Sequence, residues 1–253
     1  MCLIALAWQA HPAFSLLVAA NRDEWRERPA QSARWWADHP ELLAGRDLQA
    51  GGTWMGITRS GRFAAVTNFR DPADRRSTAH SRGTLVTQFL LGRDTPEAFL
   101  ANLAQRASGY NGFNLVVGDG GSLLYFGSRE GLARPVPPGV HALSNHLLDE
   151  PWPKVARARR AMREALSHAD PAPGLFAMLS DREGAPDAEL PDTGVGIEWE
   201  RRLAPALITG ADYGTRASTV VAVAPAGRAS FEERTRDAAG TVTGTAAFGF
   251  EIA

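Results

Sequence analysis

Residues 1–24 read MCLIALAWQAHPAFSLLVAANRDE. Two apolar runs, Cys2–Ala10 and Ser15–Asp23, flank the turn residues His11-Pro12. Continuous apolar runs of this length, bounded by turn chemistry, predict two buried strands in an antiparallel hairpin. The second run ends abruptly in Asn21-Arg22-Asp23-Glu24. In a hairpin that end returns beside residue 2, so an acid and a base arrive next to Cys2 by geometry alone. Met1–Ala20 carries no lysine or arginine, and Gln9, His11 and Pro12 break its apolar stretch. A secretory leader needs a positive start and an unbroken apolar run, so we expect a cytoplasmic protein with a free thiol at Cys2.

The rest of the chain continues in the same idiom. Strands are predicted at Thr53–Ile57, Arg62–Asn68, Asn114–Val117, Ser122–Phe126 and His141–Ser144, and at Thr215–Ala224, Ser230–Arg236 and Thr241–Ile252. Helices are predicted at Gly83–Leu91, from Thr95-Pro96 to about Arg106, at Trp152–Ser167, at Leu175–Leu179 and at Trp199–Ile208. Thr95 as cap with Pro96 behind it is a start signal. The polar, proline-containing stretch Ser180–Gly196 is the best candidate for a mobile loop. Strands come in hairpin pairs with helices grouped between them, which points to one α+β domain, residues 1–253, with largely antiparallel sheets.

Composition narrows the function. Among 253 residues, 27 basic and 28 acidic side chains leave a net charge of −1. That balance argues against a nucleic-acid binder and against a polybasic membrane-surface protein. The longest apolar run falls short of the ~20 residues that span a bilayer. A single cysteine excludes an internal disulfide and any multi-thiolate metal site. Lys154 is the sole lysine, in a helix-start context rather than a phosphate loop, and the arginine bias fits GC-rich coding. His141 and His146 stand five apart on either side of Ser144-Asn145, a spacing that fits loop and strand-end histidines better than a metal pair. No metal or other cofactor is expected.

One constellation remains. Methionine is normally removed before a small residue, which would leave Cys2 carrying thiol and α-amine together. An α-amine with a pKa of about 7.7–8.0 can take a thiol proton near neutrality, so nucleophile and base share one residue. Four further stretches surround it in sequence: Gly51-Gly52-Thr53-Trp54-Met55-Gly56, Val66-Thr67-Asn68-Phe69-Arg70, Ala142-Leu143-Ser144-Asn145-His146, and Asp212-Tyr213-Gly214-Thr215-Arg216-Ala217-Ser218-Thr219. Two of them place an asparagine just after a short apolar strand.

Taken in order, Met1-Cys2, Asn21–Glu24, Gly51–Gly56, Thr67–Arg70, Ser144-Asn145 and Tyr213–Thr219 resemble the family named for its Asn-Arg-Asp-Glu motif, also called the transport-and-Golgi-organisation family. That family looks like a branch of the N-terminal-nucleophile hydrolases, similar to the cysteine acylases that cleave bile-salt and penicillin V amides. The resemblance implies a four-layer α-β-β-α sandwich of two antiparallel sheets. It implies Cys2 as nucleophile, Asp23 positioning the α-amine and thiol, Asn68 as oxyanion donor, Asn145 holding the α-amine or substrate carbonyl, and Arg216 beside the nucleophile. Asn21 and Arg22 stand as second-rank site residues, since the acylases place an arginine slightly before the aspartate whereas Arg22 is adjacent to Asp23. The substrate expected is a small acyl-amide or another hydrophobic ligand, with Trp8, Trp54, Phe69 and His146 lining its pocket. The family's eukaryotic members also imply an alternative, a non-catalytic lipid- or haem-binding or trafficking protein on the same fold, with His146 as a candidate haem ligand.

Overall fold

The computed structural model describes residues 2–74, 76 and 79–253. Strands β1 (Cys2–His11) and β2 (Phe14–Trp25) pair antiparallel, with Cys2 opposite Arg22 and Trp8 opposite Leu16. Beyond β2 lie β11 (Tyr213–Val223), β12 (Arg228–Arg236) and β13 (Val242–Glu251), and β10 (Gly139–Leu143) lies on the other side of β1. These six form one antiparallel sheet in the order β10-β1-β2-β11-β12-β13.

The second sheet runs in chain order through β3 (Ala30–Trp35), β4 (Leu42–Asp47), β5 (Met55–Thr58), β6 (Phe63–Asn68), β7 (Phe113–Gly118), β8 (Leu123–Gly127) and β9 (Leu132–Pro135). Every neighbouring pair is again antiparallel.

Strand alternation assigns the layers. Ile4, Leu6, Val18 and Ala20 meet Met55, Ile57, Val116 and Phe231 between the sheets. Leu3, Ala5, Leu17 and Ala19 face outward onto α3 (Pro153–Ala165) and α4 (Ala172–Leu179) through Val155, Met162 and Leu175. The outer face of the second sheet is covered by α1 (Gly83–Leu91) and α2 (Pro96–Arg106) through Leu85, Phe89, Leu100 and Leu103. The architecture is the four-layer α-β-β-α sandwich. Because β1 and β2 are buried on both faces, their sequences read as unbroken apolar runs.

Helix starts follow their sequence signals. Thr95 accepts a hydrogen bond from the Ala98 amide at 3.2 Å, and Pro96 takes the first helical position. Three strands have no counterpart in the sequence reading. In β3 only Ala33 is buried, among arginine, serine and tryptophan, and β4 and β9 are short and end in charged or proline residues. The helix expected over Trp199–Ile208 is α5 (Ile197–Leu203). It stops early because Leu207 gives its amide to Asp181, outside any helical ladder. The stretch expected to be mobile is tied down instead: Arg157 binds the Glu183 and Gly184 carbonyls, Arg201 holds Asp187, and Thr193 holds Glu200.

Candidate active site

Asn21, Arg22 and Asp23 are consecutive on β2 and therefore alternate in direction. Arg22 shares the inner face with its cross-strand partner Cys2, whereas Asn21 and Asp23 face the α3/α4 side. Cys2 is 9% exposed. Burial raises its thiol pKa; Asp23 pushes the same way, and the Asp23 backbone amide and Arg22 pull it back.

Arg22 is 5% exposed, lies 4.6 Å above the Trp54 ring and is 3.6 Å from Glu24. Trp54 can occupy that place because residue 45 is glycine. A Cβ there would fall 2.2 Å from the indole. Arg82, at the start of α1, donates to the Gly112 carbonyl at 3.1 Å and turns its charge toward Glu24 and Cys2. No motif marks Arg82 in the sequence.

On the other face Asp23 accepts from the Thr215 hydroxyl at 2.7 Å, and that hydroxyl accepts from the Ile208 amide at 2.9 Å. Burial raises the Asp23 carboxyl against the opposing charge of Lys154. Lys154 is fully inside the protein, with its ammonium on the Leu203 carbonyl at 2.9 Å, and burial lowers it to about 8. Beside it, Arg70 forms a buried ion pair with Glu200 and lies 4.7 Å from the Trp152 ring.

The two asparagines meet where β6 and β10 end. The Asn145 side-chain amide donates to the Asn68 carbonyl at 2.9 Å, and the Arg70 amide donates to the Asn145 carbonyl at 2.7 Å. Ser144 donates to the Cys2 carbonyl at 3.1 Å, and its hydroxyl also reaches Asn145 Oδ1 at 3.3 Å. Ser144 thus ties the Asn68/Asn145 junction to the first residue of β1. Beside the junction, Phe69 packs on His146 at 4.9 Å and His146 on Trp152 at 5.7 Å. His146 is held by Glu150 at 3.0 Å, and His141 by Asp149 at 2.6 Å.

Trp8 stands apart from this group, and Arg216 flanks it, close enough for Arg22 and Glu24 to act on its guanidinium. Arg216 occupies a β-bulge between Thr215 and Ala217, and its Nη1 donates to the carbonyls of Trp25, Arg26 and Arg28 at 2.9, 3.2 and 3.1 Å. The bulge breaks strict alternation, and the guanidinium ties down the chain leaving β2. Trp8 is six residues along β1 from Cys2, about 20 Å at strand rise. It packs beside Leu16, Phe63 and Ile252 at the opposite end of the sandwich. Sequence reading also missed an aromatic cluster beside Glu24, in which Trp25 lies 5.2 Å from Tyr213 and 6.1 Å from Trp199.

The family model described as "Transport and Golgi organisation 2" matches residues 1–238. The Transport and Golgi organization protein 2 homologs of Bos taurus and Homo sapiens are 36% and 35% identical, each alignment covering 92% of both chains. Among solved structures, the mutant C2A conjugated bile acid hydrolase from Clostridium perfringens superposes with a TM-score of 0.51. It has 11% identity and covers 97% of this chain and 92% of that one. At that identity the likeness is one of fold, the four-layer sandwich of two antiparallel sheets.

Proposed function

We propose that this chain, which belongs to the Transport and Golgi organisation 2 family, is a cysteine N-terminal-nucleophile amidohydrolase that cleaves a linear acyl-amide. The observation that carries the reading is the convergence on Cys2. Arg22 lies opposite it on the same face, Asp23 stands beside Arg22, and Ser144 joins its carbonyl to the Asn145–Asn68 junction.

With Met1 removed, the α-amine of Cys2 takes the thiol proton, and the thiolate forms a carbon–sulfur bond to the substrate carbonyl. Negative charge moves onto the carbonyl oxygen, which Asn68 and Asn145 serve as donors. A positioned oxyanion donor is worth about 2.7–4 kcal/mol. As the tetrahedral intermediate collapses, the carbon–nitrogen bond breaks and the α-ammonium gives its proton to the leaving amine. Water, deprotonated by the α-amine, then cleaves the thioester. Asp23 holds the ammonium form, and Arg22 supplies the cation that offsets burial of the thiolate. Arg216 acts at one remove, by holding the Trp25–Arg28 turn. Trp54, Phe69 and His146 offer an apolar wall for the acyl group.

The test uses the lone cysteine. Intact mass of the untagged protein reports whether Met1 is lost. Incubation with a panel of N-acyl amides is expected to add one acyl mass to the wild type and none to Cys2→Ala. Retained Met1, or turnover that survives in Cys2→Ala, would overturn the reading. One feature favours a second reading, a binder of lipid or haem without turnover. Trp25 is 43% exposed within its aromatic cluster, a surface suited to holding an apolar ligand. Such a binder would keep its ligand in Cys2→Ala.

A further inference from the structure

Residues 144–148 follow β10 and belong to no strand or helix. Their backbone groups still need partners, and the second sheet supplies them from three side chains of its inner face. Thr67 and Asn114 continue the inward rows of Ala65 on β6 and Val116 on β7, and Tyr125 of β8 lies in the same layer. The Thr67 hydroxyl donates to the Ser144 carbonyl at 2.6 Å. The Asn114 side-chain amide donates to the His146 carbonyl at 2.8 Å and to Thr67 Oγ1 at 3.2 Å. The Tyr125 hydroxyl donates to Asn114 Oδ1 at 2.8 Å and accepts from the Leu148 amide at 3.3 Å. All three side chains are buried. Asn114 lies between Thr67 and Gly127 as their cross-strand partner. A Cβ at Gly127 would fall 2.6 Å from the Tyr125 hydroxyl, so glycine there leaves the room through which that hydroxyl reaches Asn114.

These hydrogen bonds run in one direction, from the Leu148 amide through Tyr125, Asn114 and Thr67 to the Ser144 carbonyl. The reverse Asn114 orientation would set Oδ1 against the His146 carbonyl, acceptor facing acceptor. Hydrogen bonds aligned this way polarise and strengthen one another. The line ends at the candidate site. Ser144 holds the Cys2 carbonyl, and Asn145 sits between the two carbonyls that Thr67 and Asn114 hold. We propose that Thr67, Asn114 and Tyr125 are positioning residues for Asn145: they fix the backbone on either side of it and so aim its side-chain amide at the reacting carbonyl. The inference rests on the amidohydrolase reading, in which Asn145 is an oxyanion donor. Such a donor stabilises the transition state only where its N–H is already aimed, and a misplacement of about 1 Å can cost roughly a hundredfold in rate.

Thr67→Val keeps the side-chain shape and removes the hydroxyl, Thr67→Ser keeps the hydroxyl, and Tyr125→Phe cuts the line at its far end. On an N-acyl amide that the wild type turns over, Thr67→Val is expected to lower kcat by roughly a hundredfold with KM within about twofold. Thr67→Ser should recover most of that loss, and Tyr125→Phe should lower kcat by about tenfold. A second readout needs no substrate. With asparagine labelled by nitrogen-15, the six asparagine side chains give six amide proton pairs. Asn145→Asp and Asn21→Asp each delete one pair and so assign it. In Thr67→Val and Tyr125→Phe the Asn145 pair should shift, while the Asn21 pair, on the helix-facing side of β2, stays in place. In Thr67→Ser both should keep their wild-type positions. An unmoved Asn145 pair would overturn the proposal, as would an Asn21 pair that moves as far, which marks loosened packing, or an unchanged kcat in Thr67→Val. If Thr67→Val does not fold, Tyr125→Phe decides by the same spectra. A failed acyl-amide screen sinks the amidohydrolase reading and leaves the spectra to decide this one, so the two proposals fail separately.

Discussion

Asn21 and Arg22 are neighbours in the chain and opposites in their surroundings. Asn21 is fully satisfied: its amide donates to the Leu179 and Ala206 carbonyls at 2.9 and 2.7 Å, and its oxygen accepts from Ser218 at 2.6 Å. Ser218 in turn accepts from Arg236, which reaches Ser180 and the Gly240 carbonyl. Arg22, one residue on, keeps a buried donor without a hydrogen-bond partner among the described residues and meets Cys2, Trp54 and Glu24. A closed polar network specifies one packing; an incompletely satisfied buried cation stores electrostatic leverage. One face of β2 closes a polar network, and the other sets Arg22 against Cys2.

The largest test of that division is Cys2→Ala. Turnover of an acyl-amide should drop at least about a thousandfold, roughly 4 kcal/mol in barrier, while unfolding free energy shifts by less than about 1 kcal/mol. Asn21→Ala should do the reverse. It strands two carbonyls and a hydroxyl, so urea unfolding should show a loss of about 3 kcal/mol with the thiol titration unmoved. A displaced titration would break the comparison.

Lys154 sharpens it through pH. Burial lowers its folded-state value to about 8, below that of the unfolded chain. From about 8 up to the unfolded value, the unfolded chain holds more protons, so stability rises with pH across that window. Lys154→Met should flatten the rise, removing roughly 2–3 kcal/mol of pH dependence, as read by denaturation at several pH values. Arg216→Ala comes last. It should cost about 1 kcal/mol through three lost carbonyl contacts and leave the Cys2 titration in place. A raised thiol midpoint would instead show that the Arg216 charge acts on Cys2.

Much of this was legible in the chain. Two apolar runs around His11-Pro12 specify the hairpin, and hairpin geometry alone carries Asn21–Glu24 back to Cys2. The Thr95-Pro96 start needed nothing beyond local chemistry. What escaped depends on long-range packing. Arg82 reaches the site only because α1 lies across the second sheet, and nothing local announces it. Glu233 is buried on β12, within the strand predicted at Ser230–Arg236 but with no reading of which face it takes. Its period-two continuation from the buried Ala229 and Phe231 is the signal that marks it. Arg216 sits in a one-residue bulge between the partners of Asp23 and Arg22, which no composition rule anticipates.

The Asn21 amide has a mechanical meaning as well. The Leu179 and Ala206 carbonyls meet on one side chain, and Leu207 closes on Asp181 at 2.7 Å beside them. Everything between is an excursion whose neck is clasped at its base, like a carabiner with its gate shut. Gly184, exposed three residues past Asp181, has open space where a side chain would grow. The clasp fixes both ends of that excursion, so a short peptide inserted after Gly184 adds little closure entropy. That exposed position is the natural handle by which this molecule can be tagged or tethered.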